Sequence, residues 1–387
     1  MKHTLGLTAV MGTNPLQGIN RRQLLGWLAA APLLAQMPVV NAKEKQRLYA
    51  SAAKNSQGGY ALSFFNAQGQ AQITHLLPSR AHHVLADSTR GWLFTIARRP
   101  GKFIDIYDYR NQQPVAALTP QTGYFLQGHA LLSPDGRYLY TSEQFTNKKE
   151  PTNEQGRLVV RDLAQNFAVV GELLTGGVEP HEFLWMPDGK TLVVANGGIK
   201  TAGREKLNLD TMQSSLTYLD SSSGKLLATH QLADEFHQCS IRHLDVAANG
   251  QVIVALQYQG NPANPVPLVL AHQQGTKLQV LDIPELIRSQ LQQYCGSACF
   301  DSSGQFAAVS APRGNQVMFW DMQQRQFLSS VYVADGCGVA AAAIAGEFLV
   351  SNGQGKVYQL NAHSGERQLI HLEKGQRLHW DNHLTAI

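Results

Sequence analysis

The chain has 387 residues, enough for two ordinary domains or one large all-β domain with a sizeable core. Its 32 basic and 28 acidic residues give a net charge of +4, but three of the basic residues and none of the acids lie within positions 1–42. The remainder therefore has a net charge of about +1, which argues against nucleic acid or an anionic membrane surface as a partner. No apolar run reaches the length of a membrane-spanning helix.

Positions 20–42 have the pattern of an export signal. Arg21 and Arg22 precede the short apolar run 26–35, as in twin-arginine signal peptides. Small residues at 40–42 suit a signal peptidase, and Pro32 interrupts the apolar run, which disfavours a membrane anchor. We predict a twin-arginine signal peptide at 1–42, export of the folded chain through the twin-arginine translocase, and a periplasmic domain at 43–387 with no stable membrane span.

An apolar strand that ends in Asp or Asn recurs seven times after the leader. The six intervals between Asn66 and Asn361 give a mean spacing of about 49 residues. The terminal acid or amide can accept backbone N–H groups in the turn that follows, so its predicted role is structural. The copies lie at 61–66, 103–108, 158–162, 216–220, 278–282, 317–321 and 357–361.

A second motif, the first strand of each repeat, occurs six times between these copies. Four of the six are followed by a turn with glycine, at 136, 189, 250 and 304, of the kind that joins antiparallel strands. A seventh copy lies at 380–387, so we expect it to complete the blade begun by 48–51 and 60–66. The sequence therefore predicts an all-β fold, a seven-bladed β-propeller closed by the C-terminal strand.

Three repeats carry long connections, at 144–155, 196–215 and 259–277. All three are predicted between the second and third strands, so they should gather at one end of the ring, over or beside the central channel. Residues 284–294 have helical spacing and predict a short surface helix after the fifth blade.

A histidine stands at or near the start of the inner strand in five of the seven blades. Because inner strands line the channel, these side chains should form a ring at one end of it. Neutral imidazoles that converge on one axis would bind a borderline metal ion such as Cu, Zn or Fe, and the candidate cofactors are Cu, Fe and haem. A purely structural role, in which each imidazole ties neighbouring blades together, stays open. The five residues are His83, His129, His181, His243 and His383.

The cysteines are Cys239, Cys295, Cys299 and Cys337. In an exported protein they can form disulfides in three pairings, or remain buried free thiols, and the sequence does not decide between these. Three of them occur near the inner strands that lack a histidine, so a mixed His/Cys site is a further option.

Five charged residues beside the inner-strand motifs are candidate ligand-binding residues: Glu182, Arg204, Lys206, Arg242 and Arg313. With Glu143 and Glu179 they could form a polar funnel at the channel mouth, or they could be ordinary ion pairs between blades. Glu182, next to His181, is a candidate proton acceptor or metal ligand. The pairs 98–99 and 148–149 are predicted to be solvated loop charges.

Standard catalytic motifs are absent from the sequence. It has no nucleophile elbow, phosphate loop, c-type haem attachment sequence or His-Glu-x-x-His pattern, so no catalytic residue is assigned.

Longer motifs resemble one family over essentially the whole mature chain, the bacterial exported family catalogued as domain of unknown function 1513. The matching motifs lie at 128–129, 180–182, 196–199, 206–212, 242–244, 257–260, 337–339 and 380–383. The resemblance implies a periplasmic propeller related to the quinoprotein-amine-dehydrogenase-like and YVTN-type propellers. It also implies an iron-acquisition setting with imelysin-like and di-haem peroxidase-like proteins, and it implies no catalytic residues.

Three functions follow from these observations. We expect a non-enzymatic periplasmic propeller that binds a small ligand or a partner, such as an imelysin-like or di-haem peroxidase-like protein, in iron or haem handling. The alternative is a metal- or haem-dependent redox protein or enzyme with a His/Cys site at the channel mouth. A lactonase-like hydrolase would need carboxylates around a channel Ca²⁺, where the inner strands offer histidine instead.

Overall fold

The computed structural model describes residues 47–145, 155–202, 205–373 and 378–387. The signal peptide predicted at 1–42 lies outside the described residues, as do Arg204 and most of the connection 144–155. Within the described ranges, no helix has both the length and the apolar character needed to cross a membrane.

Seven antiparallel sheets follow one another along the chain, and we number them blades 1 to 7. Blade 1 contains Leu48–Lys54, Tyr60–Asn66 and Ala71–Leu77, with His379–Trp380 and Thr385–Ala386 on its inner side. In blades 2 to 4 the strands, from the channel outward, are Ala81–Asp87, Trp92–Ala97, Ile104–Asp108, Gln113–Leu118; Tyr124–Leu132, Tyr138–Phe145, Gly156–Asp162, Ala168–Leu174; and Pro180–Trp185, Thr191–Asn196, Ser215–Asp220, Leu226–His230. In blades 5 to 7 they are Cys239–Val246, Gln251–Tyr258, Val269–Gln273, Gln279–Val280; Ser297–Phe300, Phe306–Ala311, Gln316–Asp321, Gln326–Tyr332; and Gly336–Ala341, Glu347–Asn352, Val357–Asn361, Arg367–Ile370.

The predicted seven-bladed ring and its closure are confirmed. The strand Leu48–Lys54 pairs with the C-terminal segment at two places, Tyr49 and Ala50 with Ala386 and Thr385, and Ala53 with Trp380. The Trp380 ring packs on Phe65 at 5.4 Å between centroids. Residues from both ends of the chain therefore form one blade, which leaves the ring without an open edge at the junction.

The core lies between neighbouring blades. Each blade is covered on both faces, so its second strand reads as a continuous apolar run instead of an alternating one. The strands Thr191–Asn196 and Phe306–Ala311 are buried at all six positions. Burial of apolar surface on both faces, worth about 25 cal/mol per Å², makes the ring a rigid support for the channel.

Two of the long connections, 144–155 and 196–215, lie between second and third strands, and the second of them contains a hairpin of Thr201–Ala202 and Glu205–Lys206. The third does so only over 259–268, because Val269–Gln273 within the predicted 259–277 is itself the third strand of blade 5. One repeat assignment is wrong. The segment 278–282, predicted to be the third strand of blade 5, contains the outer strand Gln279–Val280, and the third strand is Val269–Gln273. That strand follows the prolines at 262–267 directly and is only five residues long, so the sequence pattern merges it with the loop.

Helical segments are few and short. The helix predicted at 284–294 is the single turn Glu285–Arg288. Three 3-10 turns, Leu163–Gln165, Asp234–Phe236 and Pro312–Gly314, complete the regular structure of the described residues. The other blade connections are short turns. The channel mouth is therefore formed by the long connections and by the starts of the inner strands.

Candidate functional site

Each inner strand that carries a channel histidine is interrupted at that histidine. A β-bulge adds a residue to one strand, breaks the two-residue alternation and redirects side chains. The inner strand of blade 6, without such a histidine, pairs regularly from Ser297 to Phe300. Blade 7 has a bulge at Cys337 and Gly338 without a histidine. The shifts in blades 2, 3, 4 and 5 lie between Ala81 and His83, Leu126 and Ala130, Pro180 and Phe183, and Ile241 and His243.

The bulge in blade 2 brings both His82 and His83 to the channel. On a regular strand, adjacent side chains point to opposite faces, so the sequence predicts only one of the pair, and His82 was missed. The His82 ring lies 4.5 Å from that of His383 and 5.1 Å from that of His129. His83 stacks on His129 at 5.1 Å. The structure therefore adds a sixth histidine to the predicted five.

Glycine at 128 makes room for this arrangement. Its φ of +114° is a conformation that side chains with a Cβ rarely adopt. A Cβ at this position would also lie 2.6 Å from Cδ2 of His82. The Gly128-His129 pair of blade 3 therefore supplies one imidazole and leaves space for another.

The histidines of five consecutive blades form one compact cluster, which we call the histidine cluster: His82, His83, His129, His181, His243 and His383. Ring centroids are 4.7 Å apart for His129 and His181 and 4.8 Å apart for His181 and His243. All except the half-buried His83 are buried. All five predicted metal residues are thus brought together.

Several donor atoms have the spacing of a coordination shell. A four-coordinate ion with bonds of about 2.0–2.1 Å holds its ligand atoms about 3.3–3.4 Å apart. Nε2 of His82 and Nε2 of His383 are 3.3 Å apart, as are Nδ1 of His243 and Oε2 of Glu182. Three sets of ligand atoms lie within 4.8 Å of one another: His82, His129 and His181; His82, His243 and His383; and His129, Glu182 and His243.

Several ring nitrogens in this cluster are buried and have no hydrogen-bond partner among the described residues. They are Nδ1 of His82, His83 and His181 and both nitrogens of His129. Carboxylate oxygens of Asp381 and Glu182 lie 3.7 Å from Nδ1 of His82 and 3.6 Å from Nδ1 of His129, beyond hydrogen-bond distance. Most buried polar atoms in folded proteins have a partner, and leaving one without costs about 1–3 kcal/mol. The cluster is therefore poorly explained as a device that joins blades through hydrogen bonds.

The imidazoles are neutral at physiological pH. Burial is the main cause, and repulsion from neighbouring cationic groups adds to it. Together they lower the pKa of His82 to about 4 and the pKa values of His83 and His243 to about 3. The pKa values of His129, His181 and His383 are also well below the ordinary range, for the same reasons. Neutral imidazole is the form that binds metal ions.

Two carboxyl groups follow channel histidines closely in the chain, Glu182 directly after His181 and Asp245 two residues after His243. Burial raises the pKa of Glu182 to about 8, although the Leu244 N–H group donates to it at 3.1 Å and opposes the shift. Burial raises the pKa of Asp245 to about 7. A bound cation would favour the ionised form of either group. Glu182, predicted as a ligand or proton acceptor, is within 3.6 Å of both His129 and His243.

Above the cluster, a cavity of about 850 Å³ opens at the channel mouth. His82, His181 and His243 line it, and no Asp or Glu of the described residues does so. We call the six cationic residues that line this cavity the basic mouth: Arg80, Arg98, Arg99, Lys206, Arg242 and Arg313. Lys206, Arg242 and Arg313 were predicted, whereas the sequence pattern assigned Arg98 and Arg99 to solvated loops, and that assignment is wrong.

Of the two other acids predicted for the funnel, neither lines the cavity. Glu179 is buried and accepts from Nη1 of Arg242 at 2.8 Å, and it also contacts Arg99. Glu143 is buried within blade 3, where Nη2 of Arg161 lies 2.7 Å from its carboxylate. Both acids therefore belong to ion pairs, the alternative that the sequence left open.

All four cysteines are free thiols, so none of the possible disulfides forms. None belongs to the ligand sets of the histidine cluster, and the mixed His/Cys site is not formed by the described residues. Burial raises the pKa values of Cys239 and Cys295 to about 12, which keeps both thiols protonated. Their role is that of small core residues.

Comparison with known proteins identifies the fold and the family. A chain of the hydrazine synthase of Kuenenia stuttgartiensis superposes with a TM-score of 0.57 over 80% of this chain and 89% of that chain, at 16% identity. That likeness concerns the fold alone. No curated protein sequence matches significantly. Residues 75–387 match the family model described as "Protein of unknown function (DUF1513)", and the chain belongs to this family.

Proposed function

We propose that this protein binds a first-row transition-metal ion, of the Cu, Zn or Fe class, in its central channel. The observation that carries the proposal is the set of buried ring nitrogens without partners in the histidine cluster. Neutral imidazole nitrogens with one carboxylate form a donor set for these ions, whereas Ca²⁺ and Mg²⁺ prefer oxygen. With the export signal predicted at 1–42, the metal would be held in the periplasm.

A metal ion suits the site better than haem. Cofactor pockets that enclose a large flat ring are lined mainly by apolar and aromatic side chains. The cavity above the cluster is lined mostly by arginine, lysine, histidine, glutamine and asparagine, with three tyrosines. Iron handling, the setting implied by the family resemblance, is compatible with an ion held by histidines.

The ligand sets define the variants that test the site. Each of the three sets contains His129, His243 or both. The set of His129, Glu182 and His243 has the two-histidine, one-carboxylate composition found in non-haem Fe(II) sites, which leave positions open for substrate. Of these three residues only His243 lines the cavity at the channel mouth, so a metal held there would lie behind the cavity wall.

The test is metal analysis with absorption spectroscopy on protein exported through its own leader. We expect near-stoichiometric Cu, Zn or Fe in the wild type and loss of this metal in the double variant His129→Ala, His243→Ala. The matched control is His363→Ala, His371→Ala, which removes two exposed histidines outside the cluster and should keep the metal. A folded wild-type protein that contains no metal and binds none of the three ions would contradict the proposal.

A second candidate function is docking of a periplasmic protein, such as an imelysin-like or di-haem peroxidase-like protein. It is favoured by the long connections at 196–215 and 259–268, which contribute Lys206, Gln259, Gly260 and Pro262 to the channel mouth. Deletion of 197–214 should abolish recovery of a partner that the wild type retains in a pull-down. Equal recovery from both proteins would exclude this connection as the contact.

A further inference from the structure

We infer that the basic mouth is a binding site for a small molecule that carries several carboxylate or phosphate groups. This site is distinct from the metal-binding histidine cluster beneath it and goes beyond the function proposed above. It is formed by side chains of blades 2, 4, 5 and 6 and by the loop that precedes blade 2.

The cationic residues of this site outnumber their acidic partners. Even with Arg98 set aside, five cations face two carboxylates among the described residues, because Arg99 and Arg242 share Glu179 and Arg80 pairs with Asp381. Lys206 donates to the neutral amide of Gln259. A surplus of positive charge inside a concave surface is a site for an anion.

Part of this charge is withdrawn from water, which strengthens its attraction for an anion. Arg242 is only 5% exposed and its Nε has no hydrogen-bond partner. Burial, together with Arg242 and Arg98, lowers the pKa of Arg99 to about 9, so the guanidinium is still charged at neutral pH. Burial and the neighbouring arginines also lower the pKa of Lys206, which shows that these cations act on one another. An anionic ligand would relieve that repulsion.

The donors are held in place for oxygen anions. The guanidinium of Arg313 lies 4.1 Å from the centre of the Tyr294 ring, a cation–π contact that fixes its plane. Nε of Arg80 is held by Asp381 at 2.5 Å. The planar fork of arginine matches the geometry of carboxylate and phosphate groups, and several forks around one space favour a ligand with several such groups.

The size of the cavity indicates a small molecule. Its volume of about 850 Å³ falls within the range of about 300–1,000 Å³ that is common for small-ligand sites. The three histidines on its wall place a bound ligand directly above the histidine cluster. The ligand could therefore approach a metal ion there, although its binding to the arginines does not require one.

Calorimetric titration of metal-free protein tests this site apart from the metal. We expect citrate or pyrophosphate to bind with a dissociation constant below about 1 mM and acetate to bind at least tenfold more weakly, since it offers one charge to several cations. Affinity should fall as salt increases. Citrate alone would identify a carboxylate ligand and pyrophosphate alone a phosphate ligand, and either result supports the site.

A double variant of two exposed cations, Lys206→Gln and Arg313→Gln, should weaken binding at least tenfold without affecting folding. The matched control is Arg110→Gln, Lys225→Gln, two cations in third-to-fourth strand turns at the opposite end of the ring, which should bind as the wild type does. Three results would overturn the inference: no binding of either polyanion, equal weakening in both double variants, or binding only of an acidic peptide. Because the titration uses metal-free protein, it tests anion binding at the basic mouth even if the proposed metal binding is wrong.

Discussion

Two regions of the propeller carry a residue repeated from blade to blade: the channel, and the turns between third and fourth strands, which we call the rim. The two repeats differ in whether their polar atoms have hydrogen-bond partners. At the rim, Asp108, Asp220 and Asn361 each accept two backbone N–H groups of the following turn, at 2.8–3.2 Å. In the channel, neither ring nitrogen of His129 has a hydrogen-bond partner among the described residues, and the Glu182 carboxylate lies 3.6 Å from its Nδ1. The two repeats are therefore alike in their repetition and differ in hydrogen-bond satisfaction.

This difference leads to opposite expectations for substitutions. A rim residue that is fully paired contributes to stability and should have no effect on metal binding. A channel histidine whose nitrogens lack partners should contribute little to stability before metal binds, and should matter for the metal.

Acidification should affect the channel well before the rim. Burial holds the pKa values of His82, His83 and His243 at about 3–4, whereas an unfolded histidine has a pKa of about 6.5. Below pH 6.5 the unfolded chain binds more protons than the folded one, so the free energy of unfolding of metal-free protein falls as the pH drops towards 4. Each pKa unit of each histidine contributes about 1.4 kcal/mol.

Rim aspartates should lose their contribution only at lower pH. The N–H groups around Asp108 hold its pKa below the ordinary value, so its stabilising effect disappears only below about pH 3.9. Denaturant unfolding of metal-free protein at pH 7.5, 6.5, 5.5 and 4.5 measures the difference. Glu182, with a pKa of about 8, and Asp245, with a pKa of about 7, act in the opposite direction, but they are two groups against six histidines. Constant stability across this range would contradict the prediction, and His129→Leu, His243→Leu should reduce the slope.

Loss of the buried ion pair of blade 3 should lower the free energy of unfolding more than loss of a rim residue does, and it should likewise leave metal binding unchanged. Arg161 is 2% exposed and Glu143 is fully buried, so Arg161→Met leaves a buried carboxylate without its cation. We expect a loss of about 3–5 kcal/mol in the free energy of unfolding. The metal content per folded molecule should not change. Arg288→Met, which breaks the exposed pair with Glu285, is the control and should cost far less.

Loss of a rim acceptor should have a moderate effect on stability. Asp321 accepts from the N–H groups of Gln323 and Gln324 at 2.9 and 3.0 Å. Asp321→Ala should lower the free energy of unfolding by about 1–2 kcal/mol. Asp321→Asn keeps an acceptor oxygen and should recover most of that loss. A decrease in the metal content of folded Asp321→Ala protein would contradict the expectation that rim residues affect stability only.

Replacement of a channel histidine should have the smallest effect on stability. His129→Leu removes two buried nitrogens that lack partners, so the free energy of unfolding of metal-free protein should change by less than about 1 kcal/mol. Metal affinity should fall in the same variant, measured by titration of the metal-free protein. A loss of several kcal/mol with metal affinity intact would make His129 an architectural residue.

Much of the fold could be predicted because a propeller repeats its pattern. The strand-end acids and the inner-strand motifs give the number of blades, and the surplus motif at 380–387 gives the closure. The repeat pattern does not identify the strands where a repeat is irregular, as in blade 5, whose short third strand directly follows a proline-rich loop. Local pattern cannot show which of two neighbouring short segments pairs with the second strand.

The site could be predicted only in part. Five of the six histidines follow from the repeat, but His82 requires knowledge of a bulge, which has no reliable sequence pattern at a single position. Gly128, directly before His129, is the one local indication that the strand there departs from regular geometry. Arg98 and Arg99 line the mouth from the loop after the second strand of blade 2, and Arg99 contacts Glu179, which is 80 residues further along the chain and not visible as a neighbour in the sequence.

The closure of blade 1 has a consequence for the order of assembly. His383 and Asp381 come from the segment 378–387, which is about 300 residues along the chain from His82, their partner in the channel. Contacts so distant in sequence form late, because loop-closure entropy opposes them until the intervening blades are in place. A chain that has not yet added this segment to blade 1 lacks one wall of the channel and one imidazole of the cluster. A metal ion that binds to histidines from all of blades 1 to 5 would thus require a ring that is already closed.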